Sequence, residues 1–398
     1  MTTEMLTTKD LFGGSQVDPI PNPYPVYRKL RHENPVIPLQ TMGPGQYGYL
    51  ITRFVDVQQA LKNDEIFSNR SNAKGIGLVM GRTIVEMDGR EHLRHRSIIT
   101  PALAPRALRG DFPKVVESTA HELIDLFASR GCADLVKEFT FVYPLKVFTQ
   151  ILGLPLEDCA QFHRWAIDLT YVARDPARGL KATQLMADYL QPVIEQRRVQ
   201  PKKDLISRLV HAEIDGEALT NEEVISFLRL LVMAGAETTY HLIGSVLFAL
   251  MTHTDQLDEV REDRAKIDLA LEEGLRWESP VQIVTRETLA PVALSDVEIP
   301  EGSDLIVGIG SANRDETRYE DPDRFDIHRK GPEQIAFGFG KHFCAGSRFA
   351  LLEARTALNA LFDRLPNLRL DPVQREETSI VGMAFRGPNR LPVLFDAL

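Results

Sequence analysis

Cysteine is scarce in this sequence: the three that occur are Cys132, Cys159 and Cys344, and no two of them form a Cys-x-x-Cys pair. So small and scattered a set argues against a disulfide framework and against a structural zinc site. It is typical of a chain that stays in a reducing cytoplasm. A lone cysteine is usually a small buried apolar side chain, and we predict that role for Cys132 and Cys159.

A basic surplus and a long uninterrupted apolar run are also missing. The formal net charge is −10, whereas proteins that bind nucleic acid usually present a basic face, so we expect no nucleic-acid partner. Residues 1–30 contain no signal-like or anchor-like run. The most apolar stretch, residues 225–251, is interrupted by Arg229, Glu237 and His241. It therefore predicts a buried helix in a soluble, cytoplasmic protein with no membrane anchor.

Helical periodicity dominates the middle of the chain, residues 90–276. Shorter β-prone segments flank it at residues 47–52, 283–289 and 305–308. No linker rich in glycine, serine or proline divides the 398 residues. We predict a mainly α fold with minor β, built as a single domain over residues 1–398. Residues 69–83 predict a loop, either mobile over a site or simply exposed to solvent.

The third cysteine, Cys344, lies in a glycine-rich segment that is followed by a strongly helical run at residues 347–361. The segment reads Phe337-Gly338-Phe339-Gly340-Lys341-His342-Phe343-Cys344-Ala345-Gly346. The charge of a helix end contributes only ~0.3–1 kcal/mol, less than one pKa unit, so it cannot ionise a thiol with a pKa of ~8.5. A bound metal can, because coordination deprotonates the thiol. Glycines also let backbone amides approach the sulfur.

This segment resembles the haem-ligand loop of the cytochrome P450 family, Phe-x-x-Gly-x-x-x-Cys-x-Gly, at Phe337, Gly340, Cys344 and Gly346. Similar segments recur in the family's order from His92 to the last strands. The resemblance implies the cytochrome P450 fold, in which a long central helix crosses a haem beside a small β region. It also implies that Cys344 binds the iron of haem b (iron protoporphyrin IX), with Phe337, Gly338, His342 and Gly346 around the cofactor.

A capping box at Thr220 and Glu223 begins a predicted helix that runs to about His253, ~45 Å long. Its middle reads Ala234-Gly235-Ala236-Glu237-Thr238-Thr239, which resembles the family's acid–alcohol signature. The resemblance implies that Ala234 borders the cofactor, that Thr238 hydrogen-bonds bound dioxygen and that Glu237 relays protons. The alternative is that Glu237 is a paired polar residue and Thr238 packs against the backbone.

Two further groups of residues resemble those that stabilise the fold and bind the cofactor in the family. Glu273 and Arg276 resemble its Glu-x-x-Arg element, a structural network that an additional arginine, Arg324 or Arg329, would complete. Residues that resemble the contacts to the haem propionates are His92, Arg96 and Arg286. A solvated basic helix face is the alternative for His92 and Arg96. Gln334 departs from the family pattern, because many bacterial members carry a propionate-binding histidine there.

The resemblance implies a monooxygenase that hydroxylates or epoxidises a largely apolar small organic molecule with dioxygen. No segment resembles a flavin or nicotinamide domain, so electrons would come from an external ferredoxin and its ferredoxin reductase. A basic patch for this partner is predicted at Arg94, Arg106, Arg109, Lys341 and Arg348. Substrate-pocket residues implied by the resemblance are Leu230, Met233, Ala234, Gln282, Ile283, Val381 and Met383. A peroxide-driven or isomerising haem-thiolate enzyme and a non-enzymatic haem-binding sensor are the alternatives.

Overall fold

The computed structural model describes residues 6–14, 20–40, 47–103, 111–173, 175–214 and 216–397. Helices dominate these residues, as the sequence predicts. The α-helices are α1 (Thr8–Phe12), α2 (Tyr24–Glu33), α3 (Phe54–Lys62), α4 (Gly77–Met80), α5 (Gly89–Ala102), α6 (Asp111–Asp125), α7 (Val142–Ile151), α8 (Cys159–Thr170), α9 (Pro176–Val199), α10 (Leu205–Val210), α11 (Asn221–Thr252), α12 (Thr254–Glu262), α13 (Ile267–Trp277), α14 (Ile309–Ala312) and α15 (Ser347–Arg364).

The strands are short and lie mostly at the two ends of the chain. They are β1 (Val36–Gln40), β2 (Tyr47–Ile51), β3 (Phe67–Ser68), β4 (Cys132–Asp134), β5 (Glu213–Ile214), β6 (Glu217–Ala218), β7 (Ile283–Thr288), β8 (Val292–Leu294), β9 (Val297–Ile299), β10 (Asp304–Gly308), β11 (Arg369–Leu370), β12 (Ile380–Val381), β13 (Gly387–Pro388) and β14 (Pro392–Leu394). The main sheet has the order β1-β2-β10-β7-β3. Within it β10 runs parallel to β2 and antiparallel to β7.

The long helix α11 forms the centre of the molecule. The predicted capping box is present, since Glu223 N–H donates to the Thr220 hydroxyl and the Glu223 carboxylate accepts from the Thr220 N–H. This helix is long and apolar enough to cross a membrane, but 67% of its most apolar window is buried inside the protein. It is therefore the buried core helix that its interrupting polar residues predict.

Two apolar clusters fix the helices and the sheet in place. The larger cluster packs α11 against α7, α9, α13 and α15, and it packs α6 against α7 and α15. The smaller one joins the main sheet to α3 through fully buried side chains such as Ile51, Val57 and Leu305. Residues of α11, β7 and the start of α15 line one cavity between these elements.

Two sequence-based expectations are wrong. Cys159 is buried as predicted, but Cys132 is exposed. Cys132 pairs with Leu394 through the backbone of β4, and its side chain faces outward. Residues 69–83 do not form a plain exposed loop. They contain a 3₁₀-helix (Arg70–Lys74) and α4, and Val79 and Met80 are fully buried in the larger cluster.

Candidate active site

A cavity of about 350 Å³ lies between the middle of α11, the segment that precedes α15, and β7. Its lining is mostly apolar. Of the residues singled out from the sequence, it is lined by Leu230, Ala234, Thr238, Arg96, Arg286, Phe337, Gly338, His342, Cys344 and Gly346. The structure thus brings together residues that are up to 250 positions apart in the chain.

The cysteine segment folds back on itself at the floor of the cavity. The Cys344 amide donates to the Phe337 carbonyl at 2.8 Å, and the turn between them requires positive φ at Gly338 (77°) and Gly340 (76°). Burial raises the pKa of the Cys344 thiol, and the opposing influence of the Gly346 and Ser347 amides is smaller. The protein alone therefore does not ionise this sulfur, although its amides are placed to stabilise a thiolate that a metal creates.

Two cations in the lining have no anionic partner among the described residues. Arg286 donates to the Thr285 carbonyl at 2.7 Å, and Arg96 donates to the Phe343 carbonyl. Burial lowers the pKa of both groups, that of Arg286 to about 10. A buried guanidinium without a counter-ion is costly, so this pair fits an anionic group held inside the cavity.

A stacked pair of imidazoles lies beside these cations. The His92 and His342 ring centroids are 3.8 Å apart, and the Nε2 atoms of both rings are buried with no hydrogen-bond partner in the part of the chain that the structure describes. Asp88 lies 3.6 Å from His342 Nε2, beyond hydrogen-bond length. Burial lowers the pKa of His92 to about 4, which keeps that ring neutral. Buried polar atoms normally have partners, so these nitrogens also fit a bound polar group.

The middle of α11 presents small and hydroxyl-bearing residues to the cavity. The Thr238 hydroxyl donates to the Ala234 carbonyl at 2.8 Å. A Cβ at Gly235 would lie 2.1 Å from the Phe148 ring, so glycine is required for α7 to approach α11 this closely. Thr238 therefore both contacts its own backbone and faces the cavity.

Glu237 occupies the adjacent face of α11 and is not part of the cavity lining. Its side chain is half-buried, and no described residue forms a hydrogen bond or ion pair with it. Burial raises its pKa to about 7, and its charge in turn raises the pKa of the Tyr240 hydroxyl beyond the effect of burial. Glu237 is therefore not the paired polar residue of the alternative interpretation.

Five predicted pocket residues lie outside the cavity lining. Gln282 donates to the Tyr24 hydroxyl, to Glu278 and to the Ser279 carbonyl, and Ile283 and Met383 belong to a third apolar cluster around Tyr27. Met233 is buried in the main core, and Val381 pairs with Gly387 in a small sheet. The positions that line the cavity instead include Val281, Val284, Ile84, Val85 and Ile309.

Strand alternation could have identified one of these missed residues. Successive side chains of a strand point to opposite faces, so Val284 must share a face with Arg286 and not with Ile283.

The Glu-x-x-Arg pair forms a buried network away from the cavity. Arg276 binds both carboxylate oxygens of Glu273 at 2.8 Å, and Arg329 Nε donates to Glu273 Oε1 at 3.1 Å. Arg324 contributes only its backbone carbonyl. Of the two candidates for the third member, the side chain involved is that of Arg329.

The remaining sequence-based candidates lie outside the cavity. Gln334 donates to Glu272 at 3.1 Å and accepts from the Ala336 amide, so its amide is occupied elsewhere. In the predicted basic patch, Arg94 and Arg348 are exposed, Lys341 pairs with Asp64 at 2.9 Å, and Arg106 and Arg109 lie outside the described residues.

Comparisons with known proteins agree with this geometry. A cytochrome P450 family model matches residues 157–385. The cytochrome P450 monooxygenase PikC of Streptomyces venezuelae is 35% identical over 94% of this chain and 91% of its own. The vitamin D(3) 25-hydroxylase of Pseudonocardia autotrophica is 34% identical over 99% and 98%. The solved structure of cytochrome P450 CYP109Q5 from Chondromyces apiculatus gives a TM-score of 0.85 at 37% identity, covering 95% of this chain and 96% of that one.

The two arginines without an anionic partner and the adjacent imidazoles fit the carboxylates of haem b, and Cys344 fits its iron. The expected fold, cofactor and class of enzyme are confirmed. With its cysteine segment, its long helix and nearly its whole length matched, the chain belongs to the cytochrome P450 family and is a haem-dependent monooxygenase.

Proposed function

We propose that this protein is a single-domain cytoplasmic enzyme that hydroxylates or epoxidises a largely apolar small molecule, with electrons from an external ferredoxin and its reductase. The observation that carries the proposal is the composition of one cavity, in which Cys344 and Thr238 share an otherwise mostly apolar lining. An apolar lining binds apolar molecules by removing their surface from water.

Polar side chains that lack a partner in the protein are the candidates for holding the cofactor. Arg96 and Arg286 would bind the haem carboxylates through charge-assisted hydrogen bonds. His92 would donate from its unpartnered Nε2 atom, and His342, whose Nε2 lies 3.6 Å from Asp88, would stack against it. Cys344 would bind the iron, and the Gly346 and Ser347 amides would stabilise its thiolate. When bound, haem supplies the activation of dioxygen and its transfer to carbon.

Thr238 and Glu237 would take part in proton transfer. The Thr238 hydroxyl gives its own proton to the Ala234 carbonyl, which leaves its oxygen lone pairs free to accept a hydrogen bond from the cavity side. Glu237 has a pKa of about 7, close to the ambient pH, where a carboxyl group can both take up and release a proton. Water would have to connect the two residues, because Glu237 does not itself line the cavity.

The partner would dock on the face that carries the cysteine segment. Phe343, next to Cys344, and Leu93 on α5 are both exposed there, at 43% and 51%. Arg94 and Arg348 are exposed residues of the same two segments. An acidic iron–sulfur protein matches this combination of apolar and basic residues, because opposite charges steer encounter while apolar contact supports the bound state.

The reduced, carbon monoxide-bound protein tests the iron ligand. A thiolate-type Soret band is expected in the natural protein and its loss in Cys344→Ala. Turnover is then measured with a library of apolar substrates, with and without ferredoxin, its reductase and dioxygen. Product formation with peroxide alone, or without any oxidant, would overturn the proposed electron supply and favour the peroxide-driven or isomerising alternative.

A further inference from the structure

Gln282 is a buried amide behind the cavity wall that the proposed function does not use. Its side chain is fully buried. The Nε2 atom lies within hydrogen-bond distance of three acceptors, which are the Glu278 carboxylate at 3.1 Å, the Tyr24 hydroxyl at 3.1 Å and the Ser279 carbonyl at 2.9 Å. Because all three accept, only a side chain that donates satisfies this position. The amide is therefore held in one orientation.

The main chain of Gln282 joins two other segments to the start of β7. Its N–H donates to the Ala384 carbonyl at 2.9 Å, and its carbonyl accepts from the Gly310 amide at 3.0 Å. The side-chain oxygen packs against the same glycine, since a Cβ on Gly310 would lie 1.8 Å from Oε1. One residue thus connects β7 with α14 and with the segment that precedes β13.

The neighbours of Gln282 in these segments belong to the cavity wall. Val281 lines the cavity and forms a β-bridge with Phe385. Ile309, next to Gly310 in α14, lines the cavity too. Gln282 itself is not part of the lining. It can therefore act on a bound molecule only through the wall residues that it positions.

The shape of this wall matters because the cavity offers a substrate few polar contacts. Apart from the residues assigned to the cofactor, the polar side chains of the described lining are Thr238 and Thr239. An apolar molecule is then oriented mainly by the shape of the wall, and a displacement of about 1 Å can change a reaction rate by ~100-fold. Small shifts of Val281 or Ile309 would therefore bring a different carbon to the reacting position.

We propose that Gln282 is a positioning residue that determines which carbon of the substrate is oxidised, because it fixes Val281 and Ile309 in the cavity wall. The inference rests on the proposed function and deepens it, since it concerns the same cavity. Loss of the amide would leave the Glu278 carboxylate and the Ser279 carbonyl with one donor fewer. The segments around them would then shift to recover hydrogen bonds.

Iron-binding probes test the wall without turnover. Imidazole and N-phenylimidazole are titrated into the haem-loaded protein while the haem absorbance is followed. Imidazole reports access to the iron, whereas the added phenyl ring must also fit the wall. Gln282→Met keeps the length of the side chain and removes the donor. We expect it to change the ratio of the two dissociation constants by about tenfold or more, the lower end of the range for one methylene group in an apolar pocket, with imidazole affinity unchanged.

Gln256→Met is the matched control. Gln256 is also a buried amide, which donates to the Phe325 carbonyl at 3.1 Å and accepts from the Ile327 amide at 2.9 Å. Its helix, α12, contributes no residue to the described lining. The control should lose stability in a denaturant titration and leave the ratio of dissociation constants unchanged. Tyr24→Phe, which removes one acceptor of the Gln282 amide and keeps the ring, should shift the ratio in the same direction as Gln282→Met but by less.

An unchanged ratio in Gln282→Met would overturn the proposal, and so would an equal change in Gln256→Met. If Gln282→Met does not retain haem, Tyr24→Phe decides, and an unchanged ratio there overturns the proposal. Failure of the proposed function is separate, since it would appear as a missing thiolate spectrum or missing product, and the ratio can be measured in either case. With a substrate in hand, Gln282→Met should alter the proportions of products oxidised at different carbons. Constant proportions would contradict the positioning role.

Discussion

At the scale of single residues, Thr238 and Glu237 are adjacent in sequence but differ in surroundings. Thr238 faces the cavity and bonds to its own helix, whereas Glu237 lies on the neighbouring face beside Tyr240. Their roles can therefore be separated by substitution.

Replacing Thr238 by alanine removes the hydroxyl that faces the cavity. We expect the yield of product per electron consumed to fall by about tenfold or more, because positioned proton transfer is worth at least this much. Haem binding should persist, since Thr238 contacts none of the residues assigned to the cofactor carboxylates. Oxygen uptake and product are measured together, and Thr238→Ser should recover coupling. Unchanged coupling in the alanine variant would exclude Thr238 from proton handling.

We expect Glu237 to make the activity depend on pH. Burial raises its pKa to about 7, so the carboxyl is mostly protonated at pH 6 and mostly ionised at pH 8. Only the protonated form can donate, and we therefore expect the rate of product formation to fall as pH rises through about 7. Glu237→Gln should lower the rate and remove this inflection. A variant that keeps the inflection of the natural enzyme would assign it to another group.

The site residues themselves show what sequence can and cannot identify. Cys344 and Thr238 were identified from short motifs, and Arg96 and Arg286 from their resemblance to the family's propionate contacts. All four line one cavity. The wall residues depend on which face of a strand or helix meets the cavity. Ile283 and Val284 differ only in this respect, and nothing in their chemistry distinguishes them.

At the scale of elements, the contact between α7 and α11 depends on one glycine. The Phe148 ring lies over Gly235, where a Cβ would meet ring carbons at 2.1 and 2.3 Å. We expect Gly235→Ala to lower the free energy of unfolding by about 1–3 kcal/mol, the usual cost of overpacking. Denaturant titration measures it, and Phe148→Leu in the same chain should recover part of the loss. Additive effects of the two substitutions would show that the two residues do not compete for space.

Elements with strong local signals were predicted well, and those formed by tertiary contact were not. The start of α11 follows from a capping box that two residues encode. The short helices within residues 69–83 have no such signal. They form where Val79 and Met80 reach the core against α9 and α11, and tertiary packing overrides the loop-like glycines.

At the scale of the whole molecule, the Glu273–Arg276–Arg329 network ties α13 to the distant segment before the cysteine. Arg329→Ala would leave a buried carboxylate with one partner fewer, and we expect it to cost about 3 kcal/mol. The readouts are denaturant titration and the fraction of protein that retains haem. Arg324→Ala is the control, because the exposed Arg324 contributes only its carbonyl. Equal losses in both variants would contradict the assignment to Arg329.

The positions of the cavity walls along the chain determine how late in synthesis the cavity can be completed. They extend from Leu61 to Ala350, and β2 finds its parallel partner only when β10 has been made. At a usual synthesis rate of ~5–20 residues per second, Leu61 waits roughly 15–60 s for Ala350 to leave the ribosome. Capture of haem is therefore a late event, and a nascent chain must shield its future cavity walls from other chains until then. When haem is short, we therefore expect aggregation of the haem-free chain to limit the yield of intact protein.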